Sequence, residues 1–224
     1  MATRSAGKFK AERTSPPLQA KTANQRIYLD ALRTAEQIVV MGPAGTGKTF
    51  IAGTHAADGL REHRFTKVII TRPNVPGGRS LGYFKGDMQE KIAPWVAELF
   101  RVMTERMGQG TFDCALSKGN IEVVPFEVMR GRSWDNALII LDEAQNTTAG
   151  EMKMFLTRIG ENSQVVINGD VNQSDLKENS GLRTIIHMIK SRMLPVPVVE
   201  FGLDDIVRSG ACAMWVRAFA AEQL

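Results

Sequence analysis

A glycine-rich stretch between an apolar run and an amphipathic run restricts most strongly how this chain can fold. Residues 42–49 read GPAGTGKT, directly after the apolar run 37–41 and at the start of a helical pattern over 48–60. Glycines let a backbone curl so that its N–H groups point inward, and the start of the following helix adds positive potential. Strand, GxxxxGK[ST] and helix in this order predict a phosphate-binding loop, or P-loop, at the edge of a β-sheet.

The side chains of the P-loop have separate expected roles. Lys48 is expected to reach the β- and γ-phosphates as a point charge, and the Thr49 hydroxyl to face Mg²⁺. The segment predicted to bind the nucleotide consists of Gly42, Pro43, Ala44, Gly45, Thr46, Gly47, Lys48, Thr49 and Phe50.

Apolar runs rich in β-branched residues alternate with helical patterns along the rest of the chain. The predicted strands are 37–41, 67–71, 121–124, 137–141, 164–168 and 196–201. The predicted helices are 48–60, 87–107, 148–159 and 181–192, the second bent or restarted at Pro94. This alternation predicts an α/β fold with a mainly parallel sheet and helices on both faces. A length of 224 residues with 43% apolar side chains fits a single domain.

The N-terminal segment differs in composition from the rest of the chain. Residues 1–22 hold five basic side chains against one acid, which accounts for the net charge of +4 of the whole chain. Few apolar residues and the triplet Ser15-Pro16-Pro17 predict a basic, disordered arm over 1–16, followed by the folded domain over 17–224. Such an arm could hold a nucleic-acid backbone or simply aid solubility, and the sequence favours neither.

Cysteine usage and hydropathy indicate the compartment. Cys114 and Cys212 lie far apart without the spacing of metal ligands, which argues against a disulfide framework or a zinc site. The sequence opens without a charged-then-apolar leader, and its apolar runs are too short for a membrane span. We therefore expect a cytoplasmic protein without membrane contact.

Another predicted strand ends in two carboxylates, in the sequence LIILDE at 138–143. The carboxyl ends of parallel strands meet at one edge of the sheet, so both acids are expected near the P-loop. Asp142 suits the Mg²⁺ shell, and Glu143 suits the general base that polarises an attacking water. A water-activating glutamate favours a hydrolase over a small-molecule kinase, which does not need one.

The GDVNQ stretch at 169–173 follows a further strand. Gln173 could hydrogen-bond both the γ-phosphate and the attacking water, and Asp170 is expected to fix this loop. On their own these residues would equally fit an ordinary strand-to-turn junction.

Residues outside these loops predict which nucleobase, adenine or guanine, the site binds. The guanine-reading NKxD pattern has no match, since the nearest fragment, 172–175, reads NQSD and lacks the lysine. Gln25 could read adenine through its amide, with Tyr28 stacking nearby. A polar helix face would explain Gln25 equally well.

Taken together, these motifs resemble the PhoH-like ATPases, relatives of the superfamily 1 helicase core, over about residues 17–220. The matching segments are GPAGTGKT (42–49), TRP (71–73), GDMQEK (86–91), MRGR (129–132), LDEAQNTT (141–148), MKMFLTRIG (152–160), GDVNQ (169–173) and DIVRS (205–209). The resemblance implies a RecA-like fold, Mg²⁺-dependent ATP hydrolysis, handling of RNA or single-stranded DNA, and ring-like homo-oligomers such as hexamers.

The resemblance also implies an arginine directed at the γ-phosphate. Arg208 in DIVRS is the first candidate and Arg132 in MRGR the second, although a surface ion pair would explain either side chain. Helicases bind ATP between two cores, and this length fits only one. A neighbouring subunit is therefore expected to complete the site with its arginine.

Two departures from the family pattern affect the expected function. Some family members carry a PIN-type nuclease domain, for which this chain has no room, so no nuclease activity is expected. The loop 74–80 carries Arg79 where relatives often have acids, and Lys85 follows, so this region is more basic. A basic loop favours nucleic acid, but ordinary loop variation would explain it equally well. Tyr83 and Phe84 could stack on bases, although core packing suits Phe84 better.

The sequence thus predicts ATP hydrolysis coupled to RNA or single-stranded nucleic acid. It leaves open an ATP-switched scaffold or oligomeric regulator with slow turnover and no nucleic-acid coupling.

Overall fold

The computed structural model describes residues 16–73, 88–174, 176 and 180–221, and these contain one β-sheet. Its strands are β1 (Gln37–Met41), β2 (Lys67–Thr71), β3 (Ile121–Val123), β4 (Ala137–Leu141), β5 (Gln164–Gly169) and β6 (Val198–Glu200). They are all parallel, in the order β3-β2-β4-β5-β1-β6. The helices are α1 (Ala23–Thr34), α2 (Lys48–Arg61), α3 (Met88–Met107), α4 (Gln109–Ser117), α5 (Ala149–Leu156), α6 (Gly181–Arg192) and α7 (Gly210–Ala221).

Helices cover both faces of the sheet because successive strand residues point to opposite sides. Ile38 and Val40 of β1 join a core with α1, α2, α3 and α4, whereas Val39 joins a second core with α5 and α6. All five residues of β4 are buried, as expected for a parallel strand covered on both faces. The predicted α/β fold, a parallel sheet with helices on both faces, is confirmed.

The element boundaries differ from the prediction at several points. β6 covers only 198–200 of the predicted 196–201, and α3 continues through Pro94 as a single helix without a restart. Neither α4 nor α7 was predicted. A glycine at 108 and another at 110 mask α4 in the sequence, and α7 lacks the polar face by which an amphipathic helix is recognised.

Strand order brings three loops to one edge of the sheet. β5 lies between β1 and β4, with Met41 opposite Gly169 and Leu141 opposite Ile167. The P-loop follows β1, Asp142 and Glu143 (the acidic pair) follow β4, and the loop that carries Gln173 follows β5. Because all three strands run in the same direction, these loops meet at the carboxyl edge.

Several predictions concern residues outside the described part of the chain. These are the disordered arm, apart from residue 16, and the loop 74–80 with Arg79, Tyr83, Phe84 and Lys85. Within the described residues, no helix combines the length and apolar character that crossing a membrane requires.

Candidate nucleotide-binding site

The P-loop backbone depends on glycine at two positions in particular. Gly45 and Gly47 have φ of +86° and +92°, the left-handed region that other residues rarely adopt, and Gly47 is the N-cap of α2. A Cβ at Gly45 would also lie 2.9 Å from side-chain carbons of Arg208. The loop is therefore curled as predicted and has another chain segment packed on it.

Gln25 fixes the P-loop from α1. Its Nε2 donates to the Thr46 carbonyl at 2.9 Å, and its Oε1 accepts from the Lys21 N–H at 2.8 Å. The side chain is 5% exposed, and each end of its amide bonds to protein backbone. Gln25 thus holds the loop in this structure, and adenine recognition by its amide remains a prediction.

The expectation that Tyr28 stacks on adenine is wrong. Its side chain is fully buried and meets Phe201 edge-on, with ring centroids 6.2 Å apart. Burial, reinforced by the charge of Asp142, raises the pKa of its hydroxyl well above the usual range. Tyr28 follows Gln25 by three residues on the inward face of α1, and the sequence pattern does not distinguish a core position from a ligand-facing one.

Lys48 lies in the curl of the P-loop. Its Nζ donates to the carbonyl oxygens of Gly42, at 2.5 Å, and Pro43, at 2.9 Å. Burial lowers the pKa of Lys48, whereas the nearby carboxylates of Asp170 and Asp142 act in the opposite direction. The ammonium group is therefore held by the same loop that would hold phosphates.

The acidic pair lies at the end of β4 and borders the same cavity as Lys48. Burial, and next the charge of Glu143, raise the pKa of Asp142 to about 6, against the opposing effect of Arg72. A buried carboxyl group beside a second carboxylate gains from a nearby cation. Asp142 and the hydroxyl-bearing Thr49 border one cavity, and such oxygen donors suit Mg²⁺.

Glu143 has an unusual backbone and two side-chain partners. Its φ of 53° and ψ of 39° are left-handed, a strained conformation for a residue with a Cβ. One carboxylate oxygen, Oε1, lies 3.7 Å from Nη2 of Arg72, and Oε2 accepts from Nε2 of Gln145 at 2.6 Å. The predicted general base is therefore held from both sides.

The loop after β5 is shaped by Asp170, which confirms the role expected for this residue. Its Oδ1 accepts from the N–H of Asn172 at 3.0 Å, and its carbonyl accepts from the N–H of Gln173 at 3.1 Å. This tight turn directs Gln173 back toward the P-loop.

A single cavity of about 370 Å³ unites these loops. Its lining contains most of the residues predicted from the sequence to bind or act on a nucleotide. The lining residues are Ala44, Gly45, Gly47, Lys48, Thr49, Phe50, Glu98, Asp142, Glu143, Gly169, Asp170, Gln173, Val207 and Arg208. A larger groove, of about 1760 Å³, is lined by α1, α4 and the C-terminal parts of α2 and α3, and it contains none of the predicted site residues.

Arg208 borders the cavity of its own chain, and the supply of this arginine by a neighbouring subunit stays a prediction. The Val207 N–H donates to the Gly45 carbonyl at 3.0 Å, and the Arg208 side chain lies over Gly45. The segment with Val207 and Arg208 thus folds over the P-loop of its own chain. The sequence analysis looked for a second core and did not predict this contact.

Arg132 lies elsewhere and does not line this cavity. Its Nη2 is 3.1 Å from Oε2 of Glu122 on β3, the edge strand, and its guanidinium lies over the Trp134 ring at 5.3 Å. β2, β4 and β5 separate that edge from β1 and its P-loop. Within one subunit, Arg132 is therefore too remote for the role of γ-phosphate arginine.

The sequence did not indicate three residues at the site. Glu98 of α3 borders the cavity, and its surroundings in the sequence gave no signal. Arg72 and Gln145 contact Glu143, and each had a usable signal, since Arg72 follows a predicted strand directly and Gln145 follows the acidic pair.

Comparisons with known proteins agree with the sequence motifs. A family model described as "PhoH-like protein" matches residues 17–220. Protein PhoH of Escherichia coli (strain K12) is 38% identical over 218 residues, which cover 96% of this chain and 61% of that protein. The PhoH-like protein of Bacillus subtilis (strain 168) is 39% identical over 204 residues, covering 90% of this chain and 64% of that protein.

Further matches extend this set. The PhoH-like protein of Mycobacterium tuberculosis (strain ATCC 25618 / H37Rv) is 40% identical over 210 residues, covering 93% of this chain and 59% of that protein. The chain spans about three fifths of the length of these relatives. Among solved structures, the Pif1 helicase from Candida albicans matches with a TM-score of 0.38 and 14% identity, over 82% of this chain and 40% of that one.

Proposed function

The chain belongs to the PhoH-like protein family, and we propose on this premise that its P-loop cavity binds ATP with Mg²⁺ and hydrolyses it. One observation carries the proposal: Lys48, Asp142, Glu143, Gln173 and Arg208 all line a single cavity at the carboxyl edge of the sheet. Cationic, metal-binding and water-orienting groups around one phosphate loop suit phosphoryl transfer to water.

The P-loop and two cationic side chains, Lys48 and Arg208, would bind the phosphates. The loop N–H groups and the start of α2 form an anion site. Lys48 would exchange the carbonyls of Gly42 and Pro43 for phosphate oxygens, a short movement within the same loop. Arg208, which lies over Gly45 and borders the same cavity, would add a second positive charge beside the phosphates.

The residues present fit a magnesium ion. Thr49 and Asp142 would hold it, because both border the cavity and offer the hard oxygen donors that Mg²⁺ prefers. When bound, Mg²⁺ neutralises charge on the β- and γ-phosphate oxygens.

Water activation is assigned to Glu143. Its carboxylate borders the cavity and is fixed by Arg72 and Gln145, so it can accept a hydrogen bond from water and orient it for in-line attack. Gln173 would contact the same water and the γ-phosphate. Loss of that phosphate would then release the loop after β5.

We further propose that hydrolysis is coupled to RNA or single-stranded DNA. Arg72 supports this coupling, because it contacts Glu143 and begins the connection from β2 to α3. A nucleic-acid strand bound along that connection would affect the Glu143 carboxylate through the Arg72 side chain.

Assembly into a homo-oligomer, with a hexameric ring as the expected form, is also proposed. Helix α7 supports it: Met214, Trp215 and Phe219 are each more than half exposed. Apolar side chains clustered on one exposed helix favour burial against another protein surface.

An ATPase assay across protein concentrations, with and without RNA and single-stranded DNA, tests these proposals. Lys48→Ala is expected to lose ATP binding, and Glu143→Gln to keep ATP binding while kcat falls about 100-fold or more. Wild-type turnover by Glu143→Gln would refute the catalytic assignment. Tight ATP binding with slow turnover and no stimulation by either nucleic acid would favour the ATP-switched scaffold instead.

A further inference from the structure

Gln145 uses both ends of its side-chain amide to join two parts of the site. Nε2 donates to Oε2 of Glu143 at 2.6 Å, and Oε1 accepts from the N–H of Asp170 at 3.0 Å. The side chain is 2% exposed. A carboxylate only accepts and a backbone N–H only donates, so the amide has one orientation that satisfies both partners.

The loop after β5 closes around this side chain. A Cβ at Gly169 would lie 2.9 Å from Oε1 of Gln145 and 2.5 Å from Cδ2 of Leu182, so only glycine leaves room for the contact. Farther along the loop, the Ser174 hydroxyl donates to the main-chain carbonyl of Gln145 at 2.9 Å. Both ends of the segment 169–174 therefore rest on Gln145.

We propose that Gln145 is a positioning residue that couples the carboxylate of Glu143 to the loop carrying Gln173. This inference rests on the proposed function, in which Glu143 orients the attacking water and Gln173 contacts the γ-phosphate. The connection is short: Gln173 bonds the carbonyl of Asp170, and the N–H of Asp170 bonds the amide that holds Glu143.

Burial makes this connection effective. The Gln145 amide cannot rotate toward solvent, so a shift of the Asp170 N–H draws Oε1 with it and turns Nε2 relative to Glu143. Arg72 holds the other carboxylate oxygen more loosely, at 3.7 Å. The position of Glu143 is therefore set mainly from the side of Gln145, and it follows the state of the γ-phosphate.

Two substitutions of similar length separate the two halves of the link. Gln145→Met loses both bonds. Gln145→Glu, once ionised at raised pH, still accepts from the Asp170 N–H but cannot donate to Glu143, whereas its protonated carboxyl group would keep both bonds. For each variant we expect kcat to fall about tenfold or more while KM for ATP stays within about twofold, because water positioning and not nucleotide binding is lost.

Gln164→Met is the matched control. The Gln164 amide donates to the carbonyls of Leu32 and Ala35 at the opposite end of β5, away from the cavity. Its loss is expected to lower thermal stability and leave kcat unchanged. If Gln145→Glu and Gln145→Met both retained wild-type kcat, the positioning role would be overturned.

Amide hydrogen exchange of Asp170, followed by NMR in the full chain, tests the same link without turnover. Gln145→Met is expected to speed exchange about two- to tenfold, and Glu143→Ala to do so as well, because Glu143 anchors the amide that covers this N–H. Unchanged exchange in Glu143→Ala would contradict the coupling. If the wild-type protein hydrolysed no ATP but both variants still exchanged faster, the coupling would be supported. Only the proposed function would then be rejected.

Discussion

His55 on α2 is a partly buried titratable side chain outside the nucleotide cavity. Its Nε2 lies 2.6 Å from Oε1 of Gln164, whose Nε2 donates to two backbone carbonyls and so fixes the orientation of the amide. Neutral His55 therefore carries its proton on Nε2. Burial lowers its pKa from 6.5 to about 4, although the bond to Gln164 acts in the opposite direction.

This shift predicts how stability depends on pH. Between pH 6.5 and about 4 the unfolded chain binds a proton at His55 that the folded chain does not, so the free energy of unfolding falls as pH falls through this window. The loss from this one residue amounts to at most about 3 kcal/mol. Urea unfolding at pH 7.5 and pH 4.5 measures it.

His55→Gln provides the control for the titration, since the glutamine side chain does not titrate. It is expected to lower stability at pH 7.5 and to reduce the further loss on acidification. An equal loss in both proteins would show that other groups cause it.

At the level of single residues, the sequence predicted the groups whose chemistry is tied to a motif. Lys48, Asp142, Glu143 and Gln173 follow directly from loop and strand-end patterns, and the structure brings all four to one cavity. Tyr28 was misassigned because helical spacing does not reveal which of two neighbouring faces meets the core. Side chains that reach the site through the fold, such as Glu98, leave no local pattern.

The segment between β6 and α7 positions Arg208, and Asp205 anchors it to α1. The Asp205 carboxylate accepts from Nδ2 of Asn24 at 2.7 Å and from the N–H of Gly202 at 2.8 Å, and it is 5% exposed. Burial would raise the pKa of Asp205, but its hydrogen bonds from Thr22, Asn24 and Gly202 together lower it. The ionised carboxylate is thus the form that the fold selects.

Asp205→Asn is expected to weaken this anchor, because a neutral amide oxygen accepts from Asn24 and Gly202 less strongly than a carboxylate, and the amide nitrogen cannot accept from Thr22. The free energy of unfolding should fall by about 1–3 kcal/mol, and ATP affinity should fall because Arg208 loses its support. Thermal unfolding and nucleotide titration measure the two effects.

Asp30→Asn is the matched control on the same helix. Asp30 pairs with Arg33 at 3.1 Å, and both side chains are more than half exposed. Its loss should change stability by less than about 1 kcal/mol and leave ATP affinity intact. Equal effects of the two substitutions would remove the case for Asp205 as an anchor.

At the level of elements, the sequence predicted those with strong periodicity. The central strands β1, β2 and β4 and helix α6 begin and end where their patterns do, because buried β-branched runs and an amphipathic stripe leave little choice. The edge strand β6 is shorter than predicted, since only three of its residues pair with β1. Contacts distant in sequence, such as that of Asp205 with Asn24, leave no such pattern in the sequence.

At the scale of the whole molecule, the two candidate arginines make opposite predictions for an assembly. Arg208 lines the cavity of its own subunit, over its own Gly45. Arg132 lies at the opposite edge of the sheet beside Glu122, and only a neighbouring subunit could bring it to a P-loop. Mixing inactive subunits distinguishes action within a chain from action between chains.

Mixed Lys48→Ala and Arg208→Ala subunits are expected to show no recovery of ATPase activity. Each intact site needs both residues from one chain, and neither variant has both. In a randomly mixed ring whose sites were shared between neighbours, about a quarter of the sites would instead be complete. Recovery near that level would place Arg208 at the neighbour's phosphate and contradict the geometry of this fold.

Arg132→Ala mixed with Lys48→Ala makes the complementary measurement. If a neighbour supplies Arg132, this mixture recovers activity where the Arg208 mixture does not, because Lys48→Ala subunits still offer Arg132 to intact P-loops. Steady-state ATPase rates at protein concentrations above the assembly threshold, fixed by light scattering, provide the readout. If unmixed Arg132→Ala protein were fully active, the role of Arg132 would be limited to its ion pair with Glu122. Arg208 would then be the arginine that acts at the site.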